Sequence, residues 1–191
     1  MLEIYLPRED SFLLESKILK EKLRSKKCLD LGTGSGILGR AMLRAGAKEV
    51  WFADINFDAI KVAKRNLKKS KEHKFLDKSK SVRVHFIESN LFSALEKEKF
   101  DLIAFNPPYV PSDEIKWLDT DGGEEGMQVI EKFLLDFEKH LEKKGVLLLL
   151  FSSLNNKKRI FYLLKKQKFS FKIIAEQSFF FEKIFVLRAT K

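Results

Sequence analysis

The sequence predicts an α/β fold: a doubly wound, mostly parallel seven-stranded sheet closed by a C-terminal antiparallel hairpin. Three observations predict it. Short apolar β-prone runs alternate with amphipathic helical stretches through most of the chain. A glycine-rich turn, "LDLGTGSG", lies where the first strand hands over to a helix. The last two β-rich runs are separated by almost nothing, which a parallel crossover would not allow. All of this fits one domain spanning 1–191, since no repeat, linker or low-complexity segment interrupts it.

Taken in order, residues 10–25 ("DSFLLESKILKEKLRS") carry Leu13, Leu14, Ile18, Leu19 and Leu23 at helical spacing, with Asp10 or Ser11 as the N-cap. "KCLDL" is a buried strand, and "ILGRAMLRAG" the helix after the glycine turn. "EVWFADI" and "FDAIKVAKRNLKKS" repeat the strand–helix unit, and "VRVHFIES" and "FDLIAF" are the third and fourth strands. The third strand is a candidate exposed edge, open to pairing with a partner. "GMQVIEKFLLDFEKHLEKKG" predicts one long helix stopped by Gly145, followed by the strand "VLLLLFSS" and the helix "KKRIFYLLKKQ". "FSFKIIAEQSFFF" and "KIFVLRAT" form the terminal hairpin.

Composition narrows the function classes. With 45% hydrophobic and 34% charged residues the chain is globular. The longest aliphatic run, "VLLLLF", is too short to span a bilayer, and the first residues lack the pattern of a signal peptide, so the expected address is cytoplasmic, with no membrane partner. The single cysteine, Cys28, excludes an internal disulfide and a cysteine-cluster metal site, and reads as a core residue. His73, His85 and His140 show no ligand spacing, so no metal is expected. A net charge of +10 keeps nucleic acid open as a partner, although lysines spread over helix faces are commonly solvated surface.

In an open sheet of this kind ligands bind beyond the carboxyl ends of the strands, and the distinctive residues fall there. Gly32, Gly34 and Gly36 let the chain turn sharply and let a ligand approach the backbone. Asp54 ends the second strand, 20 residues beyond Gly34, where an acid accepts hydrogen bonds from both ribose hydroxyls of an adenosine cofactor. Gly34, Gly36 and Gly39 also match the dinucleotide fingerprint, so NAD is the competing cofactor. Asp30, inside the end of the first strand, is placed to meet a cationic amino group, and the chain lacks a second nucleotide-binding half. Both points favour S-adenosylmethionine, with its adenine near "ESNL" held by Asn90 and the Leu91 backbone N–H.

At the end of the fourth strand stands "NPPY", Asn106 to Tyr109. It resembles the motif of class I S-adenosylmethionine-dependent methyltransferases that act on amide or exocyclic amino nitrogens. Such an NH₂ has a delocalised lone pair and is a poor nucleophile. Two acceptors holding its hydrogens improve it, and the resemblance assigns these to the Asn106 side-chain oxygen and the Pro107 carbonyl. Pro107 and Pro108 stiffen the turn, Tyr109 stacks on the planar target, and Asn106 also borders the cofactor.

A wider resemblance covers nearly the whole chain. "YLPREDSFLL", "DLGTGSG", "NPPYVP", "GGEEG" and "EKIFVLR" follow one another in the order of HemK/PrmC-type glutamine methyltransferases, in the short archaeal and eukaryotic branch. The resemblance implies a Rossmann-like class I methyltransferase fold and N5-methylation of the glutamine in the Gly-Gly-Gln loop of a class I release factor. It also implies a small zinc-binding methyltransferase activator as partner. Ser11 would then reach the cofactor, and Gly122 and Gly123 would lie over the substrate. Two residues depart from the pattern: Asn90 replaces an Asp, and Met127 stands where a basic residue is expected. Two other readings compete: an RNA or DNA amino-group methyltransferase (adenine N6 or guanine N2), and a noncatalytic binding module on the same fold.

Overall fold

The computed structural model describes residues 7–76, 82–109 and 126–191. Seven strands form one sheet in the order β3-β2-β1-β4-β5-β7-β6: β1 Lys27–Leu31, β2 Glu49–Asp54, β3 Arg83–Glu88, β4 Phe100–Phe105, β5 Leu141–Ser152, β6 Ser170–Ser178 and β7 Lys183–Thr190. The pairs from β3 through β5 are parallel, and β7 runs antiparallel between β5 and β6. The predicted mixed sheet and terminal hairpin are therefore the observed ones. Among the described residues no helix is long and apolar enough to cross a membrane.

Two apolar layers hold helices to the sheet. On one face α1 (Glu9–Ile18), α2 (Ile37–Arg44) and α3 (Phe57–Lys69) bury Leu14, Ile18, Met42 and Leu67 against Cys28, Val50, Phe52 and Leu148. Cys28 is the core residue its setting predicts, and burial pushes its thiol pKa up. On the other face α4 (Gln128–Asp136) and α5 (Lys157–Lys166) cover Leu29, Ile103 and Leu149 with Ile130, Phe133, Ile160 and Leu164. Each such side chain contributes about 1.5–3 kcal/mol when fully buried. Helix starts follow local chemistry: Asn56 caps α3 by accepting from the Asp58 N–H, and Asn156 caps α5 by accepting from the Arg159 N–H.

Gly39, in α2, is required by packing. A Cβ there would lie 2.1 Å from the Phe52 ring, which is fully buried and stacked on Phe86. Gly39→Ala should cost about 1–3 kcal/mol through overpacking, read as a lowered urea midpoint at unchanged m-value.

Two boundaries differ from the sequence expectation. The helix expected over 10–25 ends at Ile18. Leu23 is still buried, but from a turn closed by the Lys26 N–H on its carbonyl, after which Arg24 forms a bridge to Ala47. The expected cap is also different: Arg8 occupies the N-cap and Asp10 lies within the first turn. The long helix expected to reach Gly145 ends earlier. It passes through a 3-10 turn, Phe137–His140, and Leu141 already pairs with Phe100. His140 stacks on Phe92 with centroids 4.2 Å apart and bonds the Glu98 carbonyl, which fixes this exit. A register shift carries the helix-prone "EKKG" past β4 before Val146 resumes pairing with Leu102, so strand pairing overrides local propensity.

Candidate functional site

The parallel register brings the predicted loops together. Leu31 lies between Ala53 and Phe105, so the glycine turn after β1 has the end of β2 on one side and Asn106 on the other. Asp54 is level with Glu88, which adds the turn after β3 to the same edge. Strand order reverses direction at β1, the position where α/β sheets open a ligand crevice.

Gly32, Gly34 and Gly36 all have positive φ, which only glycine adopts without strain. At Gly36 a Cβ would also approach Ala63 Cβ to 3.1 Å, so this glycine lets α2 start hard against α3. Asp30 organises the loop from beneath. It is fully buried, and its Oδ2 accepts from Thr33 Oγ1 at 2.6 Å and the Gly39 N–H at 2.8 Å. Among the described residues its Oδ1 is buried without a hydrogen-bond partner. Burial raises its pKa to about 7, opposed by the bonds from Thr33 and Gly39. Asp54 is half-buried. Its Oδ2 accepts from the Gly34 N–H and its Oδ1 from the Asn56 N–H, each at 2.9 Å, so the carboxylate ties the glycine turn to the end of β2.

Beyond β3, Asn90 is exposed, and its backbone N–H donates to Ser93 Oγ at 3.2 Å. Leu91 has φ 50°, a left-handed conformation that turns this loop. Ser89 pins the loop: its hydroxyl donates to the Leu91 carbonyl at 2.8 Å and accepts from the Ala94 N–H at 3.1 Å. Sequence reasoning did not single out Ser89.

Asn106 and Tyr109 converge on a residue that the sequence reading treated only as a helix cap. Asp10, 3% exposed, accepts from Asn106 Nδ2 at 3.0 Å and from the Tyr109 hydroxyl at 3.3 Å through one oxygen. Its other oxygen accepts from the Ser11 N–H at 2.6 Å and hydroxyl at 3.2 Å. Ser11 is thus buried beside the motif with its hydroxyl bonded to Asp10. Among the described residues Asn106 Oδ1 is buried with no hydrogen-bond partner, an acceptor at the end of β4. Pro107 is buried and Pro108 half-buried. At the far end of the motif, Asn155 Nδ2 donates to the Tyr109 carbonyl at 2.8 Å and Asn155 Oδ1 accepts from the Ser152 N–H, so the strand β5 exit holds Tyr109 in place. The sequence signal for Asn155 was slight: a polar pair following an apolar strand.

Met127 is 6% exposed and belongs to the apolar cluster under α4, which explains why the position is apolar where a basic residue was expected. Gly122 and Gly123 lie outside the described residues. No group of side chains suited to a metal ion occurs among the described residues.

Comparison with known proteins agrees with this fold. The family model of the methyltransferase small domain matches residues 10–181. A provisionally named protein N5-glutamine methyltransferase of Methanocaldococcus jannaschii is 35% identical over 98% of this chain and 91% of its own. A release factor glutamine methyltransferase of Gloeobacter violaceus is 34% identical over 64% of this chain, but the match spans only 44% of that longer relative. Among solved structures, the Mtq2–Trm112 complex of E. cuniculi, described as responsible for methylating the translation termination factor eRF1, superposes with a TM-score of 0.76 at 25% identity, over 98% of both chains. A T. thermophilus 16S rRNA methyltransferase, solved with AdoMet and guanosine, shares the fold at 22% identity and a TM-score of 0.66, over 97% of this chain and 44% of its own.

Proposed function

The chain belongs to the methyltransferase small domain family, and from that premise we propose that it is an S-adenosylmethionine-dependent N-methyltransferase whose substrate is the Gly-Gly-Gln glutamine of a class I release factor. The observation that carries this reading is Asn106 Oδ1, a buried acceptor without a partner among the described residues, beside the glycine turn. A carboxamide NH₂ is the group such an acceptor suits. The whole-length match to a protein N5-glutamine methyltransferase supports glutamine over a base.

The donor set fits the cofactor. The unpaired Oδ1 of Asp30 suits the ammonium, Asp54 the ribose hydroxyls, the Gly32 to Gly36 backbone the approach, and Asn90 with the Leu91 N–H the adenine edge. Ser11, buried in α1 with its hydroxyl on Asp10, is the further cofactor contact that the resemblance implies. When bound, S-adenosylmethionine supplies a methyl group on a sulfonium sulfur that leaves as a neutral thioether. The chain's residues do the rest. Asn106 Oδ1 and the Pro107 carbonyl each accept one hydrogen of the substrate amide and aim its nitrogen, and Tyr109 packs on the amide plane. One amide proton passes to solvent after the methyl has transferred. Catalysis here is positioning and electrostatic pre-organisation, with no strong base required.

The partners in this reading are the release factor and a small zinc-binding activator. The first is supported by the relatives' names; a protein partner is supported by the Mtq2–Trm112 complex, and its zinc-binding character is what the family resemblance implies. The half-exposed edge strand β3 offers unpaired backbone for such a partner. A cytoplasmic setting follows from a translational substrate. The +10 charge favours the alternative, amino-group methylation of RNA or DNA.

The deciding experiment incubates the protein and S-adenosylmethionine with a release-factor domain carrying Gly-Gly-Gln and, in parallel, with total RNA, with and without the activator. Mass spectrometry should place a methyl on the glutamine. A methyl on RNA alone overturns the substrate assignment.

Cofactor affinity should depend on pH. Asp30 titrates at about 7 and a nearby ammonium favours its carboxylate, so affinity should rise as pH climbs toward 7. It should fall again above about pH 8, where an α-amino group loses its proton. Asp30→Asn removes the carboxylate of this pair and should flatten both limbs in calorimetric titrations.

A further inference from the structure

We propose that Asp10 is the positioning residue that sets the polarity of the amide site; the proposal rests on the glutamine reading above. Asp10 stands in the first turn of α1, 96 residues before Asn106 in the chain, yet its carboxylate is the shared partner of Asn106 and Tyr109. A carboxylate only accepts hydrogen bonds. An asparagine side chain facing it must therefore turn its NH₂ toward Asp10, which sends Oδ1 the opposite way. That oxygen is the buried acceptor at the end of β4 that has no partner among the described residues.

The polarity matters because a substrate NH₂ also donates. If Asn106 turned by 180° about its last bond, it would present an NH₂ to an NH₂, and the acceptor that aims the nucleophile would be gone. Asn106 cannot prevent this by itself, since its two amide ends are nearly the same size. The carboxylate makes the choice. The two donors from Ser11 fix the other carboxylate oxygen, so Asp10 is held from behind while it holds the motif. The Tyr109 hydroxyl on the same oxygen as Asn106 ties the ring to the amide, so both substrate-facing groups share one reference point.

A purely structural link between α1 and the motif predicts a different ranking of variants. Asn is nearly isosteric with Asp but carries an NH₂ that can donate to the Oδ1 of a flipped Asn106. Glu keeps two acceptor oxygens but is too long for a site that is 3% exposed. Packing alone would make Asp10→Asn the milder change; polarity makes Asp10→Glu the milder one.

The test measures single-turnover methylation of the Gly-Gly-Gln release-factor domain, its KM, calorimetric S-adenosylmethionine affinity, and solvent exchange of the Asn106 side-chain amide protons by NMR. Asp10→Asn should slow turnover by roughly 100-fold, the scale of a misplaced reacting group, with KM and cofactor affinity within about threefold. Asp10→Glu should retain more rate than Asp10→Asn, and Tyr109→Phe, which keeps the bond from Asn106, should lose less than about tenfold. The Asn106 amide protons should exchange faster in Asp10→Asn than in the wild type. The proposal is overturned if Asp10→Asn keeps its rate within threefold of wild type, if it loses cofactor affinity in step with rate, or if the Asn106 amide exchange does not change. Inactivity of the wild type on glutamine would sink the substrate reading instead, and the amide exchange would then decide on Asp10.

Discussion

Asn106→Ala should lower turnover by about 10²–10³-fold, equivalent to about 2.7–4 kcal/mol of transition-state stabilisation, the scale of losing one pre-organised hydrogen-bonding partner. S-adenosylmethionine affinity should stay within about threefold of wild type, because the cofactor anchors Asp30 and Asp54 lie on other strands, β1 and β2. The substitution removes the unpartnered Oδ1 and one of the donors on Asp10. Asp10 keeps its bonds from Ser11 and Tyr109, so the fold should survive. Asp54→Ala is the opposite case: it should weaken cofactor binding and leave saturated turnover comparatively intact. Isothermal titration alongside single-turnover kinetics separates the two. Full activity in Asn106→Ala would mean that the amide nitrogen is aimed by something other than this acceptor.

How far this was legible in the sequence follows from the range of each interaction. The strands, the glycine turn, Asp54 and Asn106 are written in local patterns: apolar runs, glycines at a turn, and polar residues just past a strand end. The sheet then places them by register, as the pairing of Leu31 with Ala53 and Phe105 shows. The failures came where a distant partner overrode a local signal. Leu141 continues the helical spacing of α4, but it pairs with Phe100 and begins β5. Leu23 continues that of α1, but it is buried from a turn. Asp10 reads locally as a cap, and only the fold brings Asn106 and Tyr109 to it. Asn155 holds Tyr109 from 46 residues away, and no spacing rule points to such a contact.

The clamp at Asn155 leads to the second large effect, at Gly126. Its φ is +63°, so any other residue is strained there by about 1–2 kcal/mol. A Cβ would also stand 2.1 Å from the Tyr109 carbonyl oxygen and 2.5 Å from Asn155 Nδ2. These are the two atoms whose 2.8 Å bond closes the motif onto β5. The carbonyl is backbone, stiffened by Pro107 and Pro108, so relief must come by moving the motif or breaking the Asn155 bond. Either displaces Tyr109 and Asn106 relative to Asp10. Gly126→Ala should therefore lose about 2–5 kcal/mol of stability, from overpacking added to backbone strain. Its surviving folded fraction should turn over about 100-fold more slowly, since a shift of about 1 Å at reacting groups costs that much. Gly46→Ala separates strain from displacement: φ is +92° there, but the nearest atom to a Cβ is 3.9 Å away, in Arg24. That variant should lose about 1–2 kcal/mol and keep its turnover. Equal activity in the two folded variants would show that Gly126 supplies only backbone freedom and that the motif does not depend on its packing.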